Sequence, residues 1–147
     1  MRGALGLAVV VLVAGCGGGG GGGSSASDLQ KQVTARFAKE GVKLEVAGFY
    51  EGGPDVGLAP TSRAKFGDFV VHIEKDKSGF AVNEQSTSAP DADGVRWDDA
   101  LADHNPPYYT SYRRYGDKLE LQWSTEKRSI DDPHFKALDA IMRELAK

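Results

Sequence analysis

The sequence predicts an α+β fold with an antiparallel sheet of about five or six strands, flanked by an N-terminal and a C-terminal helix. Two amphipathic segments, residues 29–37 and residues 135–145, have the apolar spacing of helices. Short segments between them alternate apolar and polar residues, as half-buried strands do. The connections are of hairpin length, which favours antiparallel strands with the helices packed on one face of the sheet.

The first predicted helix has an apolar face of residues spaced four apart: Leu29, Val33 and Phe37. Ser27 is its expected N-cap, and Gly41 is its expected stop signal. Residues 42–46 then alternate strictly, which predicts a half-buried strand. The glycines and prolines of residues 51–60 predict a loop.

A second hairpin is predicted in the middle of the chain. Residues 69–74 alternate as a strand, residues 75–78 are polar and turn the chain, and residues 80–83 return as the partner strand. Residues 86–94 are expected to form a loop. Residues 95–97 are expected to form a short strand.

The clearest local signals lie near the end of the chain. Residues 108–115 are aromatic and strand-prone, Gly116-Asp117 is a two-residue turn signal, and residues 119–123 alternate again. Asp132 is the expected N-cap of the last helix, because Pro133 follows at its first position. The apolar stripe of this helix consists of Phe135, Leu138, Ile141, Met142 and Leu145.

Residues 1–15 have the organisation of a bacterial secretion signal. Arg2 supplies a positive charge, residues 4–13 form an apolar run, and two small residues follow. The apolar run is too short to span a bilayer, which takes roughly 20 residues. A removable signal is therefore expected rather than a membrane-spanning helix.

The four residues Val13-Ala14-Gly15-Cys16 resemble the lipobox of bacterial lipoproteins. The resemblance implies that the Cys16 thiol receives a diacylglycerol and that cleavage before Cys16 makes it the acylated first residue of the mature protein. The glycines and serines of residues 16–27 predict a flexible tether, and residues 28–147 are expected to form one α+β domain. The protein is then expected outside the cytoplasm, anchored to the cell membrane or, in a cell with two membranes, to the outer membrane.

Composition excludes several classes of function. The 18 basic and 21 acidic residues give a formal net charge of −3, which argues against nucleic-acid binding. The single cysteine excludes an intramolecular disulfide. No Gly-x-Ser-x-Gly or phosphate-binding loop motif is present, so we expect no nucleophilic catalytic residue and no cofactor.

Two metal-like patterns are weak. His72 and Glu74 share one strand face and could supply two ligands, but a solvated outer face of the strand is the favoured interpretation. Asp91 and Asp93 before Gly94 resemble a fragment of a calcium loop, yet an ordinary polar turn is favoured. The sequence therefore predicts no metal site.

Residues 108–115 form the strongest binding candidate. Only one face of this strand can be buried, so tyrosine and arginine side chains are expected to remain exposed, as in many recognition surfaces. The alternative is that tyrosine is simply a good strand residue and arginine keeps the surface soluble. The predicted binding residues are Tyr109, Tyr112, Arg113, Arg114 and Tyr115.

These features predict a membrane-anchored, non-catalytic binding module. Its partners would be membrane lipid, through the acylated Cys16, and an envelope protein, a glycan or a small ligand. One alternative is an envelope hydrolase that uses the cluster of Asp98, Asp99, Asp103 and His104 for acid–base catalysis, and another is a purely structural protein. About forty residues at the end of the sequence also resemble small lipoproteins of high-GC actinobacteria, a resemblance that implies no particular activity.

Overall fold

The computed structural model describes residues 26–46, 55–58, 63–73 and 87–147. The predicted signal (residues 1–15), the lipidation site Cys16 and nearly all of the tether lie outside these ranges. In the described residues, no helix is both long enough and apolar enough to span a membrane. The helices are α1 (Ala26–Lys39), α2 (Arg63–Phe66) and α3 (Pro133–Leu145). The strands are β1 (Leu44–Val46), β2 (Asp55–Leu58), β3 (Asp68–Ile73), β4 (Val95–Leu101), β5 (Tyr108–Tyr115) and β6 (Leu119–Thr125).

The strands form an antiparallel sheet in the order β1-β2-β3-β6-β5-β4. Strand β6 lies between β3 and β5, and its Leu121 is paired with Val71 on one side and Arg113 on the other. The short strands β1 and β2 continue the sheet beyond β3. The predicted α+β class, with an antiparallel sheet and a helix from each end of the domain, is confirmed.

Helices α1 and α3 cover the same face of the sheet and form the core with it. The ring of Phe37 lies 5.1 Å from that of Phe69, and the ring of Trp123 lies 5.4 Å from that of Phe135. Burial of each such side chain contributes roughly 1.5–3 kcal/mol to folding. The predicted apolar face of α1 is confirmed, because Leu29, Val33 and Phe37 are all buried.

The two long helices end much as the sequence predicts. The Asp132 carboxylate accepts a hydrogen bond of 2.7 Å from the backbone N–H of His134, and Pro133 occupies the first helical position. Gly41 takes a φ of +74° just after α1 ends, and its N–H donates to the carbonyl of Ala38. The prediction for Ser27 is wrong, because α1 begins one residue earlier and Ser27 lies in its first turn.

One local prediction between β1 and β3 is wrong, and another concerns residues outside the described ranges. Residues 55–58 form β2 although residues 51–60 predict a loop, because pairing with β1 and β3 outweighs the poor strand propensity of Gly57. Strand β3 pairs with β2 and β6. The predicted return strand, residues 80–83, lies outside the described ranges.

The second half of the sheet follows the local signals more closely. The β5–β6 hairpin is confirmed, and Gly116 at its turn has a φ of +67°. Strand β4 is longer than predicted, since it continues past Trp97 to Leu101. Its register shifts between Asp98 and Leu101, where the Asp98 carboxylate accepts a 2.9 Å hydrogen bond from the N–H of Ala100. This irregularity is a β-bulge of the kind that bends an edge strand.

Candidate functional site

The predicted binding residues on β5 are divided between the two faces of the sheet. Tyr115 faces the helices with 6% of its surface exposed, and Tyr112 on the other face is 8% exposed. The expectation that only one face of this strand is buried is therefore wrong. Tyr109 is partly buried against the core, whereas Arg114 is exposed. Strand β5 thus contributes more to packing than to an open surface.

Tyr115 is buried because its hydroxyl has a charged partner on α3. That hydroxyl donates a 2.6 Å hydrogen bond to the Asp139 carboxylate. The same carboxylate lies 3.1 Å from Arg113 Nη1 and accepts a 2.8 Å hydrogen bond from Arg143 Nε. We call these four residues the Asp139 brace, since they fasten β5 to α3.

The brace changes the acidity of its members. Burial, strengthened by the hydrogen bond to Asp139, raises the pKa of Tyr115 far above its ordinary value. Burial alone would raise the pKa of Asp139 as well. Hydrogen bonds from Tyr115 and Arg143, together with the charge of Arg113, outweigh that effect and hold this pKa below its ordinary value. Asp139 is thus a fixed anion between two guanidinium groups.

The opposite face of the sheet carries the histidine considered as a metal ligand. His72 is 2% exposed, and its Nε2 lies 2.8 Å from Gln122 Oε1. Its cross-strand neighbour Glu120 is 1% exposed. The interpretation of a solvated strand face is therefore wrong at His72, whereas Glu74 lies outside the described residues. Within the described ranges, no group of three His, Cys, Asp or Glu side chains has the geometry to hold a metal.

The acidic residues in and just after β4 do not meet as a catalytic cluster. Asp99 Oδ1 accepts a 3.2 Å hydrogen bond from Arg128 Nε, and Asp98 caps the N–H of Ala100. Among the described residues, the His104 imidazole makes no hydrogen bond to Asp98, Asp99 or Asp103. Asp91 and Asp93 lie in an exposed turn, which fits the polar-turn interpretation of that segment.

A groove of about 730 Å³ lies where β6 ends, β5 begins and α3 starts. We call it the polar groove. Its lining includes four carboxylates and four hydroxyl groups, against one lysine and one histidine. The carboxylates belong to Asp68, Glu126, Asp131 and Asp132, and the hydroxyls to Tyr108, Ser124, Thr125 and Ser129. The groove is therefore rich in hydrogen-bond acceptors.

The floor of the polar groove covers a buried hydrogen-bond donor. Trp123 Nε1 has no hydrogen-bond partner among the described protein atoms, although an unmet buried donor costs about 1–3 kcal/mol. Gly67, which lines the groove, has a φ of +69°, and a Cβ at this position would lie 3.4 Å from Trp123 Nε1 and 3.5 Å from His134 Nδ1. Because Gly67 has no side chain, the space beside its Cα is bordered by both the indole of Trp123 and the imidazole of His134.

The rim of the polar groove is partly apolar. Tyr108 and Leu101 are the most exposed large apolar residues in the described part of the chain, and they are paired across β4 and β5. Tyr108 lines the groove, whereas Leu101 lies beside it.

Sequence reasoning missed this site because its parts come from β3, β5, β6 and α3. The one available signal was the polar segment between Trp123 and the Asp132-Pro133 helix start.

No family model matches this chain, and neither curated proteins nor solved structures give a significant match.

Proposed function

We propose that this protein is a lipid-anchored envelope protein whose exported domain binds a ligand in the polar groove without catalysing a reaction. The anchor is the acylated Cys16 that the lipobox pattern predicts. The observation that carries the binding role is the groove itself, in which acceptor groups surround one exposed aromatic ring. The proposal includes the full sheet of five or six strands that the sequence predicts. In this sheet β1 and β2 lie beyond β3, and they support the strand that contains Asp68.

The chemistry of the groove favours a ligand with many hydrogen-bond donors. Four carboxylates repel an anionic ligand, and Lys127 with His134 does not balance them. A glycan offers hydroxyl donors to the carboxylates and an apolar C–H face to the ring of Tyr108. Among the envelope protein, glycan and small ligand expected from the sequence, the groove therefore favours the glycan.

The buried indole adds a directional contact to this proposal. Trp123 Nε1 and His134 Nδ1 both lie close to Gly67 in the groove lining, and the His134 side chain is about half exposed. A small local opening beside Gly67 would let a ligand oxygen accept a hydrogen bond from this indole N–H, which is buried in the free protein. Since an unmet buried donor is costly, this contact would improve binding by more than an exposed hydrogen bond does.

A hydrolase that uses Asp98, Asp99, Asp103 and His104 is less well supported. Asp99 is engaged by Arg128, and the described contacts bring no carboxylate to the His104 imidazole. A general base needs such contact with its acid partner or with substrate. The polar groove lies on other elements, so we retain the binding role as the proposed function.

The binding proposal is tested with Tyr108→Ala, measured against a panel of soluble neutral and amino-sugar oligosaccharides. We expect the variant to weaken binding roughly tenfold, which is about 1.4 kcal/mol, because the stacking surface is lost. The matched control is Leu101→Ala, which removes a similarly exposed apolar side chain outside the groove. Binding equal to wild type in the Tyr108 variant, or no binding by wild type to any oligosaccharide, would contradict the glycan proposal.

The anchor is tested separately with Cys16→Ala. We expect loss of metabolic labelling by fatty acid and loss of normal membrane localisation, because the acyl chains supply the membrane affinity. Labelling and cell fractionation of wild type and variant give the measurement. A variant that stays in the membrane fraction as wild type does would contradict the anchor.

A further inference from the structure

A second cavity, of about 430 Å³, lies at the opposite end of α3 from the polar groove. Every charged residue of its lining is basic, and we call it the basic cleft. These residues are Arg113, Arg114, Arg143 and Lys147. Arginine and lysine at this density form the usual recognition chemistry for phosphate, because guanidinium groups donate paired hydrogen bonds to its oxygens.

Acidic neighbours offset only part of this charge. Asp139 is shared between Arg113 and Arg143, and a Glu120 carboxylate oxygen lies 4.0 Å from Arg114 Nε. Among the described residues, the Lys147 ammonium forms no ion pair. One carboxylate, Asp139, is thus shared by two guanidinium groups, and these groups retain donors that Asp139 does not use.

The basic cleft also adjoins the point where the chain enters the domain. A neighbouring depression of about 270 Å³ is lined by Leu29 and Gln32 of α1 together with Gly116 and Lys147, which also line the cleft. Helix α1 begins at Ala26, less than one turn before Leu29. Ala26 follows Cys16 by ten positions, and a chain segment of that length spans at most about 36 Å. An acyl group on Cys16 would therefore keep the cleft close to a bilayer.

We infer that the basic cleft binds the phosphate of anionic lipid headgroups. The anchored domain then docks with this end on the membrane, while the polar groove at the other end of α3 faces away from it. The inference rests on the proposed anchor at Cys16. It goes beyond that anchor because it assigns an orientation and a second, electrostatic membrane contact to the folded domain.

The test uses the lipidated protein in vesicles of phosphatidylcholine, with or without phosphatidylglycerol. A spin label is placed near the cleft by Asp117→Cys or near the groove by Lys127→Cys, and its relaxation by a nickel-chelating lipid headgroup reports proximity to the bilayer. We expect strong relaxation at residue 117 only, and only in the vesicles with phosphatidylglycerol. Added salt should remove the difference, because it screens exposed charges.

The double variant Arg143→Gln, Lys147→Gln should lower the ratio of docked to undocked protein roughly fivefold for each charge removed. Asp139 keeps Tyr115 and Arg113 as partners in this variant, and a thermal unfolding curve shows whether the fold is kept. Lys136→Gln removes one positive charge near the other end of α3 and should leave docking unchanged.

The possible failures are distinguishable. Protein that does not float with the vesicles overturns the anchor and, with it, this inference. Protein that floats but shows equal relaxation at both labels, or in both kinds of vesicle, overturns the headgroup contact alone. Inorganic phosphate distinguishes the remaining case. If phosphate binds the protein without vesicles and, at the same concentration, abolishes the relaxation at residue 117, the cleft is a site for free phosphate and the headgroup assignment is wrong.

Discussion

The two ends of α3 both contact β5, but they differ in charge and in bracing. At its start, α3 meets β5 and β6 around the polar groove, whose lining is mostly acidic. At its end, α3 meets the other end of β5 around the basic cleft. Acidic groups near a helix start and basic groups near its end both interact favourably with the helix dipole. The separation of charge therefore stabilises α3 and also gives the domain two chemically distinct ends.

The ends differ more in how their charges are held. In the Asp139 brace, a carboxylate that is 19% exposed takes hydrogen bonds from Tyr115 and Arg143 and pairs with Arg113. At the groove end, Asp131 is 89% exposed and has only Lys136 at 3.3 Å. The charges of the Asp139 brace are thus fixed before any ligand arrives, whereas the Asp131 carboxylate at the groove stays largely open to solvent.

The largest effect expected from this difference is on stability. Asp139→Asn removes the anion that two arginines and a buried hydroxyl share, so we expect the free energy of unfolding to fall by about 2 kcal/mol. Asp131→Asn is the matched control, and it should change stability by less than about 0.5 kcal/mol because the residue is exposed. Urea unfolding of both variants gives the measurement. Equal losses of unfolding free energy in the two variants would show that the Asp139 brace stabilises the fold no more than an exposed carboxylate does.

Wild type and Asp139→Asn should respond differently to acid. The pKa of Asp139 lies below its ordinary value in the folded state, so its contribution to stability is complete above the ordinary aspartate value of about 3.9. As pH falls through the lower pKa of the folded state, the carboxylate takes up a proton and that contribution is lost. The stability of wild type should therefore converge on that of Asp139→Asn in acid. A difference that stays constant with pH would argue against a charged brace.

The sequence was sufficient where the signals are local. The β5–β6 hairpin has its turn at Gly116, and the residues of β6 alternate so that Leu119 and Trp123 point into the core. The start of α3 depends only on Asp132 and the proline after it. Each of these features is decided by residues a few positions apart, so a single sequence contains the information.

The sequence was insufficient where distant segments decide the outcome. Residues 55–58 become a strand because β1 and β3 lie on either side of them. Tyr115 is buried because Asp139, 24 residues later, supplies a partner for its hydroxyl. The polar groove needs Gly67 next to Trp123 and His134, and only the pairing of β3 with β6 and the packing of α3 bring them together. None of these distances can be read from periodicity or turn propensity.

A smaller but sharper comparison of the two ends uses their glycines. Gly67 at the groove and Gly116 at the basic end have φ values of +69° and +67°, so alanine at either position takes a left-handed conformation that costs roughly 1–2 kcal/mol. We expect Gly67→Ala and Gly116→Ala to lose similar amounts of stability in urea unfolding.

The two added methyl groups have different surroundings. The methyl group at Gly116 has no atom within 4 Å, whereas the methyl group at Gly67 contacts Trp123 Nε1 and His134 Nδ1. Only Gly67→Ala should therefore block access to the indole N–H and weaken oligosaccharide binding. If both variants bind as wild type does while losing stability equally, the indole N–H takes no part in recognition and the groove binds through its rim alone.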